Sequence, residues 1–138
     1  MYLLDTNAIS EPTKKVPNSG YMKWLAASEP SALFTSSLVI GELQKGVNLA
    51  SKISRASALQ KFVDKTKYAF EAATHMVDTE TALIWADITS ELQTTGRTLP
   101  VVDSILAAQC IQHNLTLVTR NKKDFAFVPN LKVLCPWN

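Results

Sequence analysis

Short apolar runs alternate with longer helical patterns along the chain, and this alternation constrains the fold more than any other feature. The strand-like runs lie at residues 2–4, 33–36, 75–77, 115–119 and 131–134. The helical patterns lie at about 21–27, after an N-cap at Ser37, at about 54–70, from a cap at Asp78 to Gly96, and at about 101–113. Parallel strands joined by helices form a sheet that is covered on both faces. We therefore predict an α/β fold, a three-layer α/β/α sandwich with a central parallel sheet.

Length and composition indicate one ordinary globular domain, residues 1–138. The chain is 46% hydrophobic and 19% charged, which is typical of a soluble protein. No apolar run approaches the roughly 18 residues that a bilayer requires, and the strand-like start does not resemble a signal peptide. Cys110 and Cys135 have no metal-binding or disulfide spacing, so we expect reduced thiols. A cytoplasmic protein without membrane association is expected.

The net charge of +2 is too small to predict nucleic-acid binding by itself. Basic pairs occur at 14–15 and 122–123 in loop-like segments that flank candidate site residues. A further basic set lies in the central helical segment and is more simply explained as a solvated face; it consists of Arg55, Lys61, Lys65 and Lys67.

The first predicted strand runs directly into Asp5. Open parallel sheets bind ligands at the carboxyl ends of their strands, which is where Asp5 is expected to lie. Thr6 or Asn7 can cap a short helix there, which Pro12 limits. A carboxylate at this position is costly to desolvate without a cation or hydrogen-bond donors. Asp5 is therefore a candidate ligand-binding residue.

Other polar residues are predicted at the same edge of the sheet. Glu42 lies early in the helix after the second strand, Asp103 opens a helix, and Asn121 or Asp124 follows the strand ending at Thr119. Three carboxylates within ~4 Å of one another repel strongly and require a divalent cation or protons. Oxygen ligands favour Mg²⁺ or Mn²⁺ over zinc, and magnesium usually acts on phosphates.

Each of these residues also has a purely structural interpretation. Asp5 can be a helix cap, Glu42 a surface residue favoured by the helix dipole, and Asp124 an ion-pair partner of a neighbouring lysine. Asp103 lies within the apolar segment LPVVDSILAA, where a solvated acid is unusual. The ordered set is therefore a stronger indication of function than any single member.

The motifs YLLDTNAISE, SSLVIGELQKGV, LPVVDSILAAQCIQHNLTLVTRNKKDF and VLCPWN resemble, in this order, those of PIN-domain nucleases. The resemblance is specifically to the VapC-type toxin of VapBC toxin–antitoxin systems. It implies a Mg²⁺-dependent endoribonuclease, with Mn²⁺ as a substitute, that acts as the toxin of a type II pair. It also implies that Asp5 and Asp103 are the principal metal ligands and that Glu42 completes the acidic cluster.

The resemblance further implies particular partners. RNA is expected to lie against basic loop residues, here Arg120, Lys122 and Lys123, and a small antitoxin is expected to cover the site. Operator DNA is expected to bind only through that antitoxin, and a homodimer is expected. The hydroxyl groups expected to orient the carboxylates are those of Thr6, Ser36 and Thr119.

One departure from the family pattern concerns the metal. Members with a fourth carboxylate carry it just after the TR dipeptide, where this chain has Asn121. An amide removes one negative charge from the cluster, so we predict that one metal binds firmly and a second one poorly. Asp124 replaces the missing carboxylate if the loop turns it inward.

Several alternatives remain open on the sequence alone. Core packing explains most of the apolar helical residues, and the remainder are candidates for a homodimer face and an antitoxin groove; the set is Tyr21, Trp24, Leu25, Phe62, Phe70 and Trp85. Trp137 is expected to pin the last strand. The competing functions are a non-catalytic RNA- or protein-binding PIN-like module and an Asp-based phosphotransfer domain.

Overall fold

The computed structural model of the protein describes residues 1–138 and contains five strands and six α-helices. The strands are β1 (Tyr2–Leu4), β2 (Leu33–Ser36), β3 (Thr74–His75), β4 (Thr116–Val118) and β5 (Lys132–Leu134). The helices are α1 (Thr6–Ser10), α2 (Ser19–Ala27), α3 (Ser37–Asn48), α4 (Ile53–Ala69), α5 (Thr79–Thr94) and α6 (Val101–His113). Short 3-10 helices lie at Glu11–Thr13, Pro30–Ala32, Glu71–Ala73 and Lys122–Phe125.

The five strands form one parallel sheet in the order β3-β2-β1-β4-β5. The register places Leu3 opposite Phe34 in β2 and Leu117 in β4. Helices flank the sheet, with α3 packed on α4 and α5 packed on α6. The prediction of an α/β/α sandwich is confirmed. Because β1 is central, its carboxyl end lies where the strand order reverses direction, which is the usual ligand-binding position in such sheets.

The hydrophobic core is one continuous cluster around β1, β4 and α6. Leu3 and Leu117 are fully buried, and α6 buries most of its circumference. This burial explains why the α6 segment is apolar on nearly every side. Both cysteines are free, and Cys110 is buried in this core. None of the helices has the length and hydropathy that a bilayer-spanning segment requires.

Several predicted element boundaries are wrong, including those of the last two strands, which are 116–118 and 132–134 rather than 115–119 and 131–134. Ser36, not Ser37, caps α3, because the Ser36 hydroxyl accepts a hydrogen bond from the Leu38 amide at 3.2 Å. Helix α2 begins at Ser19 rather than Tyr21, because the Asn18 side chain caps it. The third strand is 74–75 rather than 75–77, and the two apolar residues that follow it are exposed.

The predicted ends of α5 agree with the structure more closely. Asp78 caps α5 in a capping box with Thr81, and Gly96 follows the helix with a φ of 73°. A positive φ costs glycine little, which suits it to a helix end. Trp137 lies beyond β5 and stacks on Tyr21 with ring centroids 4.5 Å apart. It therefore packs against α2, and pinning of the last strand by Trp137 stays a prediction.

Candidate active site

Asp5 lies between the carboxyl ends of the two central strands. Its backbone amide donates to the Val118 carbonyl at 3.3 Å, which extends the pairing of β1 and β4 by one residue. Its side-chain Oδ1 accepts a hydrogen bond from the Ala8 amide at 2.8 Å and caps α1. The prediction that Thr6 or Asn7 caps this helix is therefore wrong. Asp5 itself has the extended backbone of an N-cap, and the helix begins at Thr6.

The electrostatic environment of Asp5 disfavours its charged form. The side chain is buried, and this burial is the main reason that its pKa rises from 3.8 to about 6. Hydrogen bonds from the Ala8 amide and the Thr119 hydroxyl lower the pKa in part, whereas the charges of Asp103 and Glu42 raise it. Asp5 therefore belongs to a cluster of mutually repelling carboxylates.

Asp103 lies in the first turn of α6, within reach of the same cluster. Burial raises the pKa of this half-buried carboxyl, and the charges of Glu42 and Asp124 raise it further. Asp124 belongs to the Lys122–Phe125 3-10 helix after β4. The fold thus brings the three predicted carboxylates into electrostatic contact, and it places Asp124 close enough to influence Asp103.

Glu42 extends from α3 and is exposed. The Thr6 hydroxyl donates a hydrogen bond to Glu42 Oε1, so the residue after Asp5 contacts the second carboxylate of the cluster. Thr119 is buried beside Asp5 and also accepts a hydrogen bond from the Asn121 amide at 3.1 Å. Ser36 does not join these contacts, because its hydroxyl caps α3.

The loop after β4 forms a basic cavity beside the cluster. It has a volume of about 610 Å³. Its lining includes the three predicted substrate-binding residues together with both candidates for the fourth metal ligand, namely Arg120, Lys122, Lys123, Asn121 and Asp124. Anionic groups bound in this cavity would therefore lie next to Asp124 and the acidic cluster.

The donor set fits a hard divalent cation by its chemistry. All candidate ligands are oxygen donors, and the only ion pair in the protein joins Lys14 to Glu11 at 2.8 Å, away from the cluster. None of the carboxylates of Asp5, Glu42 and Asp103 therefore forms an ion pair with a cationic side chain. No three His, Cys, Asp or Glu side chains are gathered closely enough to form a ready ligand cage.

Two grooves border α4. The first has a volume of about 420 Å³ and extends from Thr6 and Glu42 to Arg55 and Phe62. The second, which we term the apolar groove, has a volume of about 450 Å³ and is lined mainly by apolar residues, including Leu25, Phe62 and Phe70. Tyr21 is fully buried, and the other members of the apolar helical set pack partly against the core.

Sequence reasoning missed several of these features. The hydrogen bond from the Ala8 amide to Asp5 could not be predicted from the sequence, because free backbone N–H groups are present at the start of every helix. Arg55 is exposed, as expected for a solvated face, and it also lines the groove that contains Glu42. Arg97 and Phe127 lie together beside Lys123 and Asp124, although they are far apart in the sequence.

The parallel sheet and the acidic cluster at the ends of its central strands define a PIN-like α/β protein. The family described as PIN domain matches residues 2–130, and the chain therefore belongs to the PIN domain family. The chain is 32% identical to toxin FitB of Neisseria gonorrhoeae over 139 residues, covering 100% of this chain and 99% of that protein. It is 30% identical to ribonuclease VapC2 of Rickettsia felis, covering 100% and 98%.

Solved structures agree with these relatives. The crystal structure of FitAcB from Neisseria gonorrhoeae matches with a TM-score of 0.92 at 32% identity, covering 100% of this chain and 99% of that chain. The structure of VapBC2 from Rickettsia felis bound to a promoter DNA fragment matches with a TM-score of 0.82 at 27% identity, covering 96% of each chain. Membership of the PIN family excludes the predicted alternative of a phosphotransfer fold.

Proposed function

We propose that this protein is the ribonuclease toxin of a type II toxin–antitoxin pair, a metal-dependent endoribonuclease that hydrolyses RNA phosphodiester bonds. The observation that carries the proposal is the electrostatic coupling of Asp5, at the end of β1, with Glu42 on α3 and Asp103 in the first turn of α6. The similarity to proteins named toxin FitB and ribonuclease VapC2 supports it. The cytoplasm, where RNA is available, is the proposed site of action.

Asp5, Asp103 and Glu42 are the residues that would hold the ion. A bound Mg²⁺, or Mn²⁺ in its place, would supply a Lewis acid for the phosphate and for a water molecule. The Ala8 amide and the Thr119 hydroxyl keep the Asp5 carboxylate oriented. Thr6 binds Glu42 at Oε1, which leaves Oε2 to accept a proton from a water molecule. Arg120, Lys122 and Lys123 line the adjacent cavity, where they can bind the RNA backbone.

The test is a cleavage assay on RNA with Mg²⁺ that compares the wild type with Asp5→Asn and Asp103→Asn. We expect each variant to lose roughly 100-fold or more in rate, because even residues that only orient metal ligands contribute 10- to 100-fold. Equal cleavage by all three proteins would indicate a contaminating nuclease. RNA binding without cleavage by the wild type would instead support the non-catalytic PIN-like module.

We also infer that a small antitoxin covers this site and that operator DNA binds through the antitoxin. Two related solved structures are a FitAB complex bound to a DNA fragment and a VapBC2 complex bound to a promoter DNA fragment. The apolar groove is suited to the apolar face of a partner helix. Expression from the native operon should yield a complex, and Leu25→Asp should release the partner while RNA cleavage is retained.

A single domain and a homodimer complete the proposal. The hydrophobic core is one cluster that includes residues from Leu3 to Val128. An apolar pocket between α5 and α6 is bordered by exposed Val77 and Val101 and is a candidate dimer face. Light scattering should give a dimer for the wild type and a monomer for Val101→Asp.

A further inference from the structure

Phe127 is a large aromatic residue that a rigid turn holds outside the core. Its neighbours Phe125 and Val128 are 3% and 6% exposed, whereas Phe127 is 58% exposed. A backbone hydrogen bond of 3.1 Å from the Val128 amide to the Phe125 carbonyl closes this turn. The two buried neighbours thus anchor the segment and direct Phe127 outward, so that more than half of its surface stays exposed.

Arg97 lies over this ring. The guanidinium carbon is 3.7 Å from the ring centroid of Phe127, a cation–π arrangement. The position of Arg97 is fixed by the end of α5, since Gly96 has a φ of 73° and the Arg97 amide donates to the Leu92 carbonyl at 2.9 Å. Arg97 is itself exposed. We refer to this pair as the Arg97–Phe127 platform.

The platform is continuous with the candidate active site. Arg97 and Phe127 line a pocket of about 240 Å³ together with Lys123 and Asp124. The same Lys123 and Asp124 line the basic cavity after β4. Asp124 in turn acts electrostatically on Asp103. A strand of RNA lying against the acidic cluster can therefore extend through the basic cavity onto the platform.

We propose that the Arg97–Phe127 platform binds an unpaired base of the RNA substrate beside the scissile phosphate, with Lys123 contacting the RNA backbone. This inference rests on the proposed ribonuclease function. Proteins bind unpaired RNA bases by stacking them on aromatic rings and arginine guanidinium planes, and they bind the adjacent phosphates with basic side chains. The platform offers both planar groups, and Lys123 supplies the positive charge at its border.

The test uses the full chain with Asp5→Asn as the parent, so that the RNA stays intact during binding. The probe is a single-stranded RNA oligonucleotide with 2-aminopurine placed in turn at each position. We expect binding of the parent to quench the 2-aminopurine fluorescence at one or two positions, because the base at those positions stacks. Adding Phe127→Ala should abolish that quenching and weaken binding at least about five-fold, the low end for loss of one stacked base. Phe127→Trp should retain both properties.

Two controls separate stacking from general effects. Tyr68→Ala removes an aromatic ring from α4 that is 83% exposed and lines none of these pockets, and it should leave affinity and quenching unchanged. An oligonucleotide with an abasic site at the quenched position should bind the parent and its Phe127→Ala variant equally. Thermal melting of each variant verifies that the fold is intact.

The outcomes distinguish this inference from the function on which it rests. Cleavage by the wild type, together with unchanged affinity and quenching in Phe127→Ala, would overturn the base-binding platform alone. Absence of both cleavage and RNA binding would overturn the ribonuclease function and the platform with it. Loss of antitoxin co-purification in Phe127→Ala, with RNA binding intact, would show that the surface binds protein instead.

Discussion

The indole N–H of Trp137 donates a hydrogen bond to Glu11 Oε2 across 3.1 Å. Burial alone would raise the pKa of Glu11, but hydrogen bonds from Lys14, Trp137 and the Asn18 amide lower it to about 2. Trp137 also stacks on Tyr21, whose hydroxyl donates to the Ala8 carbonyl at 2.5 Å. A connected set of contacts therefore extends from the segment after β5 to the short helix that Asp5 caps.

Replacing Trp137 by Phe tests the Glu11 contact. The variant keeps an aromatic ring but removes the N–H donor, leaving a buried carboxylate one hydrogen bond short. We expect the free energy of unfolding at pH 7 to fall by about 1.5–3 kcal/mol, the usual range for a hydrogen bond to a charged group. Urea denaturation measures it. Trp24→Phe, which removes an indole on α2 that has no hydrogen bond to Glu11, is the control for ring size.

The raised pKa of Asp5 predicts a pH dependence of stability in the metal-free protein. The folded-state value of about 6 exceeds the unfolded value of 3.8, so this contribution is fully present below pH 3.8 and is lost as the pH rises through about 6. The loss is at most about 3 kcal/mol. Melting with a chelator present should therefore show this decline in the wild type.

The Asp5→Asn variant isolates that effect. An asparagine still accepts the Ala8 amide as an N-cap but does not ionise. We expect this variant to be at least as stable as the wild type at pH 7 and to show a smaller decline between pH 4 and pH 6, because the raised pKa of Asp103 still contributes. An identical decline in the two proteins would assign the pH dependence to other groups.

Metal titration tests the roles of Asn121 and Asp124. Calorimetry with Mn²⁺ should detect one firm site in the wild type and about 10-fold weaker binding in Asp124→Ala. The reason is that this variant removes a negative charge that is close enough to raise the pKa of Asp103. Asn121→Asp should strengthen a second binding event by restoring a negative charge. Asp87→Ala, an exposed acid on α5, is the matched control. Two firm sites in the wild type would contradict the one-metal prediction.

Salt dependence tests whether the loop lysines contact RNA phosphates. In the Asp5→Asn background, replacing Lys122 and Lys123 by Ala should reduce the slope of log K against log salt by about 1.4, since each single-strand phosphate contact contributes about 0.7. Replacing Lys61 and Lys67, which are exposed on α4, removes the same charge elsewhere and should change the slope much less. Equal changes would mean that net charge alone determines binding.

Elements with strong local patterns were predicted well. Helix α6 begins and ends at the predicted residues because its segment is largely apolar and its end is marked by Asn114, which has a φ of 54°. The alternation of strands and helices was sufficient to predict the three-layer architecture. The strand order was not predictable in this way, because it depends on which strands pair across long loops.

Features that depend on tertiary contacts were missed or misplaced. Asp, Thr and Asn are all good N-caps, so residue type alone does not show which of Asp5, Thr6 and Asn7 caps α1. The cap is Asp5 because β1 ends at Leu4 and the helix begins at Thr6. Asp5 could be singled out because it follows the first strand, and Asp103 because an acid is unusual in an apolar segment. The Arg97–Phe127 platform was missed because nothing local indicates that a helix end will meet a distant turn.

The central position of β1 has a consequence for how the protein is made. Its partner strand β4 ends at Val118, so β1 is synthesised long before both of its neighbours exist. Domains fold as units during synthesis, and pairings between distant segments form late. We therefore expect the carboxyl end of β1, where Asp5 lies, to reach its final surroundings only after β4 has been synthesised. The acidic cluster is thus expected to be a late product of folding.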